Sequence, residues 1–205
     1  MDADDWNARY SAAELVWSRG PNEFLVGEVG GLAPGTALDV ACGEGRNAIW
    51  LAERGWTVTA FDFSSVAIGK AKEIAAARGL DVDWRILDVD GWEPDAVYDL
   101  VSVLYLQLPQ PQRSAMFAKA ARSVAPGGTL LFTAHALRNL EDGFGGPQDP
   151  AVLPEPAGVA ADLLAADAGL EIDKAEEIER LVDTPGGPRT AIDMLVRARG
   201  KPGQE

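Results

Sequence analysis

Short apolar runs alternate with amphipathic segments along most of the chain. Residues 36–40 (Thr-Ala-Leu-Asp-Val) form an apolar run that ends in a glycine turn, and residues 46–54 then read as a helix with Ile49 and Leu51 to bury and Gly55 as its stop. The β-branched run 57–61 predicts a second strand. Ser64 or Ser65 can cap a helix that runs to Arg78, with Gly79 just past its end. A third strand is predicted over 82–87. Residues 99–104 are nearly all apolar, as a strand covered on both faces should be. A helix over 111–124 with proline at its start leads through Pro126-Gly127-Gly128 into a strand at 129–133. Residues 92–98 are too short and irregular for a helix.

Strands alternating with helices imply an α/β protein, a doubly wound parallel sheet with helices on both faces. The last third differs. Residues 138–158 hold four glycines and four prolines, which predicts a long loop of the lid or binding kind. A helix over 159–168 follows. Two strands, 171–181 and 190–199, flank Asp183-Thr184-Pro185-Gly186-Gly187-Pro188 and read as a hairpin whose final strand inserts into the sheet. The alternation of Ile192, Met194 and Val196 supports that strand. In residues 1–35, two short helices are expected at 11–17 and 22–29, as an appendage packed over the carboxyl edge of the sheet.

Length then sets the organisation. A chain of 205 residues with 47% hydrophobic side chains is expected to form one domain, 1–205. Within it we expect an N-terminal helical appendage or lid (1–35), a ligand-binding core (36–134), an acceptor-side loop (138–158) and a C-terminal helix with hairpin (159–199). The net charge of −14 argues against a nucleic-acid partner held by phosphate contacts and mildly favours a cationic or neutral small ligand. With one cysteine, Cys42, no disulfide framework is possible. No signal peptide and no membrane span are visible, so a cytoplasmic chain, monomer or homodimer, with no membrane partner is expected. No metal site is expected.

The chemistry concentrates in residues 38–48, which follow a strand and open a helix. Gly43 and Gly45 let the backbone turn tightly and approach a ligand. The spacing fits G-x-G-x-x-A, so a nicotinamide-dependent oxidoreductase must be weighed, although that match alone is weak. A pyrophosphate at this helix start would want neutral or basic neighbours, yet Asp39 and Glu44 are acids. A ligand carrying an ammonium and a sulfonium would tolerate or use them. Asp62, at the end of the second strand, can accept from a vicinal diol. Asp88, after the third, can accept from an amino group or merely cap a turn.

These segments resemble the class I S-adenosylmethionine-dependent methyltransferases, in particular their tellurite-resistance and thiopurine-type small-molecule branch. The resemblance rests on residues 5–10 (Asp-Trp-Asn-Ala-Arg-Tyr) with Trp17 and Pro21-Asn22, the loop 39–47, Phe61-Asp62-Phe63-Ser64, Tyr98-Asp99-Leu100-Val101, Ala125-Pro126-Gly127-Gly128 and the terminal hairpin. It implies a Rossmann-like, seven-stranded sheet, mostly parallel with an antiparallel C-terminal strand. It also implies S-adenosyl-L-methionine as cofactor, leaving as S-adenosyl-L-homocysteine.

Carried over by position, the loop Ala41, Cys42, Gly43, Glu44, Gly45 and Asn47 would wrap the methionine portion, with Asp39 at its ammonium. Asp62 would hold the ribose, and Phe63 would lie beside the adenine. Leu87, Asp88 and Val89 would frame the adenine edge, and Leu104 would lie beneath the sulfonium. Arg9 and Trp17 would close over the cofactor. Ala41 replaces the family's first loop glycine, which costs little if its φ is negative.

The implied reaction moves a methyl group by in-line displacement to a small-molecule acceptor: a thiol, a metalloid oxyanion or a hydroxyl. His135, the only histidine, follows the fifth strand at the same edge, and the tellurite branch has a similarly placed histidine. It is the candidate catalytic base or orienter. Arg138 is a candidate for holding an anionic acceptor, and Tyr105 and Gln107 for lining the acceptor side. A non-catalytic cofactor-binding protein remains the other alternative.

Overall fold

The computed structural model describes residues 2–16 and 20–202. The chain begins with α1 (Ala3–Ser11) and α2 (Glu23–Val29), followed by β1 (Thr36–Val40), α3 (Arg46–Ala52), β2 (Thr57–Asp62), α4 (Ser65–Ala77), β3 (Asp83–Ile86) and β4 (Tyr98–Leu104). It continues through α5 (Gln110–Arg122), β5 (Val124–His135), the short α6 (Asn139–Asp142), α7 (Pro156–Ala165), β6 (Leu170–Val182) and β7 (Arg189–Gly200). The strands form one sheet in the order β3-β2-β1-β4-β5-β7-β6. β1 to β5 run parallel, and β7 lies antiparallel between β5 and β6. This is the expected doubly wound sheet closed by an inserted hairpin strand. The strand order reverses between β1 and β4, and such a switch point leaves a crevice outside the carboxyl ends of the strands.

Two apolar layers cover the sheet. Alternate residues of a strand face opposite sides, so Leu38, Val40, Val101, Val103, Leu130 and Phe132 pack on Met116 and Phe117 of α5 and Val159 and Leu163 of α7. Ala37, Leu100, Leu131 and Leu195 pack on the other side with Leu25 of α2, Leu51 of α3 and Ile68 of α4. Asp39 shares a face with Ala37, and His135 shares one with Leu131. The polar groups described below therefore stand on the α2–α3–α4 side. Phe61, Phe117 and Phe132 are fully buried, each worth about 1.5–3 kcal/mol against exposure.

Three expectations change. The first N-terminal helix is Ala3–Ser11, not 11–17. Its start is fixed by a reciprocal cap: Asp5 N–H donates to Asp2 Oδ1 at 3.0 Å and Asp2 N–H to Asp5 Oδ2 at 3.1 Å. The stretch 138–158 is more ordered than a plain loop, with α6 and a 3-10 turn at Pro150–Val152. Buried Asn139 pins it, donating from Nδ2 to Gly145 O at 2.8 Å and accepting from Ile192 N–H of β7 at 2.7 Å. α7 also begins at Pro156, earlier than expected, because proline suits the first helical turn.

Candidate active site

A cleft of about 1690 Å³ opens along the carboxyl ends of the parallel strands. Its floor is the bend after β1. Gly43 and Gly45 have φ of +55° and +74°, where glycine is at no disadvantage. At Gly45 a side chain would also collide with the Trp84 indole and the Ala71 methyl. Ala41 has φ +54°. The condition under which alanine would cost little here, a negative φ, is therefore not met: the alanine holds a left-handed conformation that disfavours any Cβ.

Asp39 pairs in register with Ser102 of β4, and Ser102 Oγ donates to its Oδ1 at 2.8 Å. Oδ2 is buried with no hydrogen-bond partner among the described residues. Burial pushes the Asp39 carboxyl up to about 7, only partly offset by the Ser102 bond, the nearby Ala48 N–H and the Arg46 charge. Burial likewise raises the Cys42 thiol, helped by the charges of Asp39 and Asp62.

Asp62 is engaged differently from the simple expectation. Gly43 N–H donates to its Oδ2 and Ser64 N–H to its Oδ1, both at 2.9 Å. The carboxylate thus holds the bend and the start of α4 together, and one lone pair on each oxygen remains. Burial raises its pKa, and the two backbone bonds oppose that rise. The helix cap is Ser64, whose Oγ accepts from Ala67 N–H at 3.1 Å. Phe63, Leu87, Val89 and Leu104 line the cleft as expected. Asp88 also lines it, but it is exposed and accepts from Asp90 N–H at 2.9 Å, a turn role.

Two loop residues turn away from their expected roles. Glu44 is buried, and its carboxylate accepts from Val16 N–H, at 3.0 Å to Oε2, and from Lys70 Nζ at 3.1 Å. Asn47 Oδ1 accepts from Asn22 N–H at 2.8 Å, and Asn22 in turn caps α2. Both side chains therefore fasten the N-terminal segment over the cleft. Lys70 Nζ completes the fastening by donating to Tyr10 O, Ala13 O and Glu14 O at 2.6, 2.6 and 3.0 Å. Arg9 lines the cleft and lies over the Trp6 ring at 5.0 Å. Trp17 lies outside the described residues.

On the far side of the cleft, His135 Nδ1 is 3.0 Å from Asp193 Oδ1. Asp193 is wholly buried, and its Oδ2 accepts from Tyr105 Oη at 2.8 Å and Arg180 Nε at 2.6 Å. Burial pushes this carboxyl up, but the adjacent His135 and the bonds from Arg180 and Tyr105 more than offset it and hold it below the usual range. Asp193 escaped the sequence reading. Its signal was there: it is the single acid inside the apolar run 191–196. Tyr105 and Gln107 line the cleft, and Gln107 Nε2 is buried without a partner among the described residues. Arg138 does not join them. It stands outside the cleft and binds Glu177 Oε2 at 2.7 Å and Asp142 Oδ2 at 3.5 Å, so no role in holding an acceptor follows.

Residues 37–128 match a family model described as "Methyltransferase domain". Over 126 residues the chain is 33% identical to the 2-heptyl-1-hydroxyquinolin-4(1H)-one methyltransferase of Mycobacteroides abscessus, covering 58% of this chain and 56% of that one. The chain thus spans little more than half the length of this curated relative. Its fold is shared with the N-methyltransferase NodS from Bradyrhizobium japonicum WM9, solved with S-adenosyl-L-homocysteine, at TM-score 0.72 and 18% identity over 98% of this chain and 99% of that one. It is shared too with TehB from Haemophilus influenzae, at TM-score 0.69 and 18% identity over 97% of this chain and 67% of that one. Among the described residues no helix is long and apolar enough to cross a membrane.

Proposed function

We propose that this protein is an S-adenosylmethionine-dependent methyltransferase for a small-molecule acceptor, of the tellurite-resistance and thiopurine-type branch. The observation that carries the reading is Asp39 Oδ2, a buried acceptor left without a partner beside a positive-φ bend. Such an atom calls for a donor from a ligand, and an ammonium group fits it. The remaining lone pairs of Asp62 suit a ribose diol. Phe63, Leu87 and Val89 give the apolar walls a purine needs, and Leu104 offers an uncharged floor under sulfur. The match over residues 37–128 supports the same reading.

When bound, the cofactor supplies a methyl group already activated by its sulfonium. The chain's own residues then have three tasks. The bend and Asp62 fix the donor. The N-terminal segment, fastened by Lys70, Glu44 and Asn47, and the stretch 145–152 exclude water. His135 receives or orients the acceptor, which we take from thiols, metalloid oxyanions and hydroxyls. Orientation alone can lower such a barrier by about 7–11 kcal/mol in favourable cases.

Calorimetric titration with S-adenosyl-L-homocysteine, with NAD as counter-ligand, tests this. One-to-one binding of the former, weakened at least about tenfold (~1.4 kcal/mol) in Asp62→Ala, is expected. Binding of NAD instead would overturn the reading.

A further inference from the structure

We propose that Asp193 is the positioning residue of an Asp193–His135 dyad, which holds the imidazole as its Nδ1–H tautomer so that Nε2 takes the proton of an acceptor hydroxyl. The inference deepens the methyltransferase reading and rests on it.

The register makes the pair. β5 and β7 run antiparallel with His135 opposite Asp193, so the two side chains stand side by side on one face. His135 Nδ1 and Asp193 Oδ1 are both buried and lie 3.0 Å apart, in contact but not aligned as a hydrogen bond, and neither has a hydrogen-bond partner among the described residues. A small turn of the imidazole would align them, and each then satisfies the other only if Nδ1 carries the proton. Nε2 is then the unprotonated nitrogen of a side chain that lines the cleft.

The ring is also held sterically. Tyr105 meets it edge-on, with centroids 5.2 Å apart. On another side Gly146 comes so close that a Cβ there would lie 2.7 Å from Cδ2 and 3.0 Å from Nε2. Tyr105 itself has φ +60°, an unfavourable backbone for a tyrosine.

A purely structural role does not account for this arrangement. A leucine at 193 would continue the apolar run of β7, and buried ionic groups are often less stable than apolar replacements. Instead one carboxylate collects donors from three other segments: β5, β6 and the end of β4. The charged and titratable groups around the dyad are Tyr105 beyond β4, Arg180 of β6, Glu23 of α2 at 3.7 Å from Arg180, and Arg46 of α3, whose charge reaches Tyr105 and Arg180.

The chemistry narrows the acceptor. A thiolate or an oxyanion arrives deprotonated and needs no base, whereas a hydroxyl does. In the step, the acceptor oxygen forms its bond to the methyl carbon as the carbon–sulfur bond breaks. The electron pair stays on sulfur, and the hydroxyl proton passes to His135 Nε2.

Because His135 is the only histidine, long-range proton–nitrogen NMR of the full, untagged, 15N-labelled chain reads its tautomer directly. Nδ1–H is expected in the wild type, with a shift toward Nε2–H in Asp193→Asn. An Nε2–H wild type overturns the dyad, and decides the matter even if the variant does not fold. So does an unchanged tautomer in Asp193→Asn. Methyl transfer to a panel of phenols and the matching thiophenols, read by mass spectrometry, tests the acceptor. Transfer to phenols should fall on the order of a hundredfold or more in Asp193→Asn and in His135→Gln. Transfer confined to thiophenols, or unchanged in both variants, overturns the acceptor assignment. Homocysteine-nucleoside binding should be unchanged in Asp193→Asn. Its absence from a wild type that shows Nδ1–H would defeat the methyltransferase reading and leave the dyad standing.

Discussion

Ser102 donates to Asp39 across the β1–β4 pair at 2.8 Å, and that single bond leaves one carboxylate oxygen satisfied and the other without a partner. A ligand ammonium would bind the ionised form of Asp39, whereas the free protein holds its pKa at about 7. Ligand binding should therefore release a proton near neutrality. Affinity for S-adenosyl-L-homocysteine is expected to rise roughly tenfold from about pH 6 to about pH 7.5, with a flat profile in Asp39→Asn. Calorimetry in buffers of different ionisation enthalpy measures both. No proton release at about pH 6.5 would contradict it. In the free protein the sign is opposite. Because the folded pKa is raised, the Asp39 contribution to stability is full below about pH 4 and is lost as pH rises through about 7.

Ala41 adopts a conformation suited to glycine. Relief of the left-handed backbone is worth about 1–2 kcal/mol, and the entropy of a new glycine offsets about 0.5–1 of that. Ala41→Gly should raise the melting temperature by about 2–4 °C. Scanning calorimetry checks this, and a lower melting temperature would show that φ is negative in solution.

Lys70 ties three carbonyls and Glu44 together. Hydrogen bonds to charged groups contribute about 1.5–3 kcal/mol each when well buried. Lys70 keeps part of its surface exposed, so the lower end applies. Lys70→Met should speed proteolysis within residues 12–16 and weaken homocysteine-nucleoside binding by roughly tenfold. Unchanged cleavage would mean that the segment is held elsewhere.

Gly146 touches the imidazole it helps to orient. Misplacement of a reacting group by about 1 Å can cost on the order of a hundredfold in rate. Gly146→Ala should lower kcat by that order and leave nucleoside affinity intact. Equal losses in both would place Gly146 in the cofactor site instead.

What could be read from the sequence was local. The alternation of apolar strands and capped helices, the Gly43–Gly45 bend and the Pro/Gly-flanked hairpin each depend on neighbours in sequence, so the sheet and its antiparallel insertion were legible. The contacts that escaped are long-range. Glu44 and Asn47 sit in a ligand-binding loop, but their partners Val16, Lys70 and Asn22 come from elsewhere in the chain. Asp193 looked like one polar residue in a strand until the β5–β7 register set it beside His135. Arg138 lies three residues from His135, yet the turn into α6 carries it to Glu177 instead.

The central claim is that the cleft holds a sulfonium nucleoside over the bend, and a crystal grown with S-adenosyl-L-homocysteine tests it most directly. The account predicts its amino group at Asp39 Oδ2, its ribose hydroxyls at Asp62 and its base between Phe63 and Val89. Density elsewhere in the cleft, or a ribose out of reach of Asp62, would contradict it.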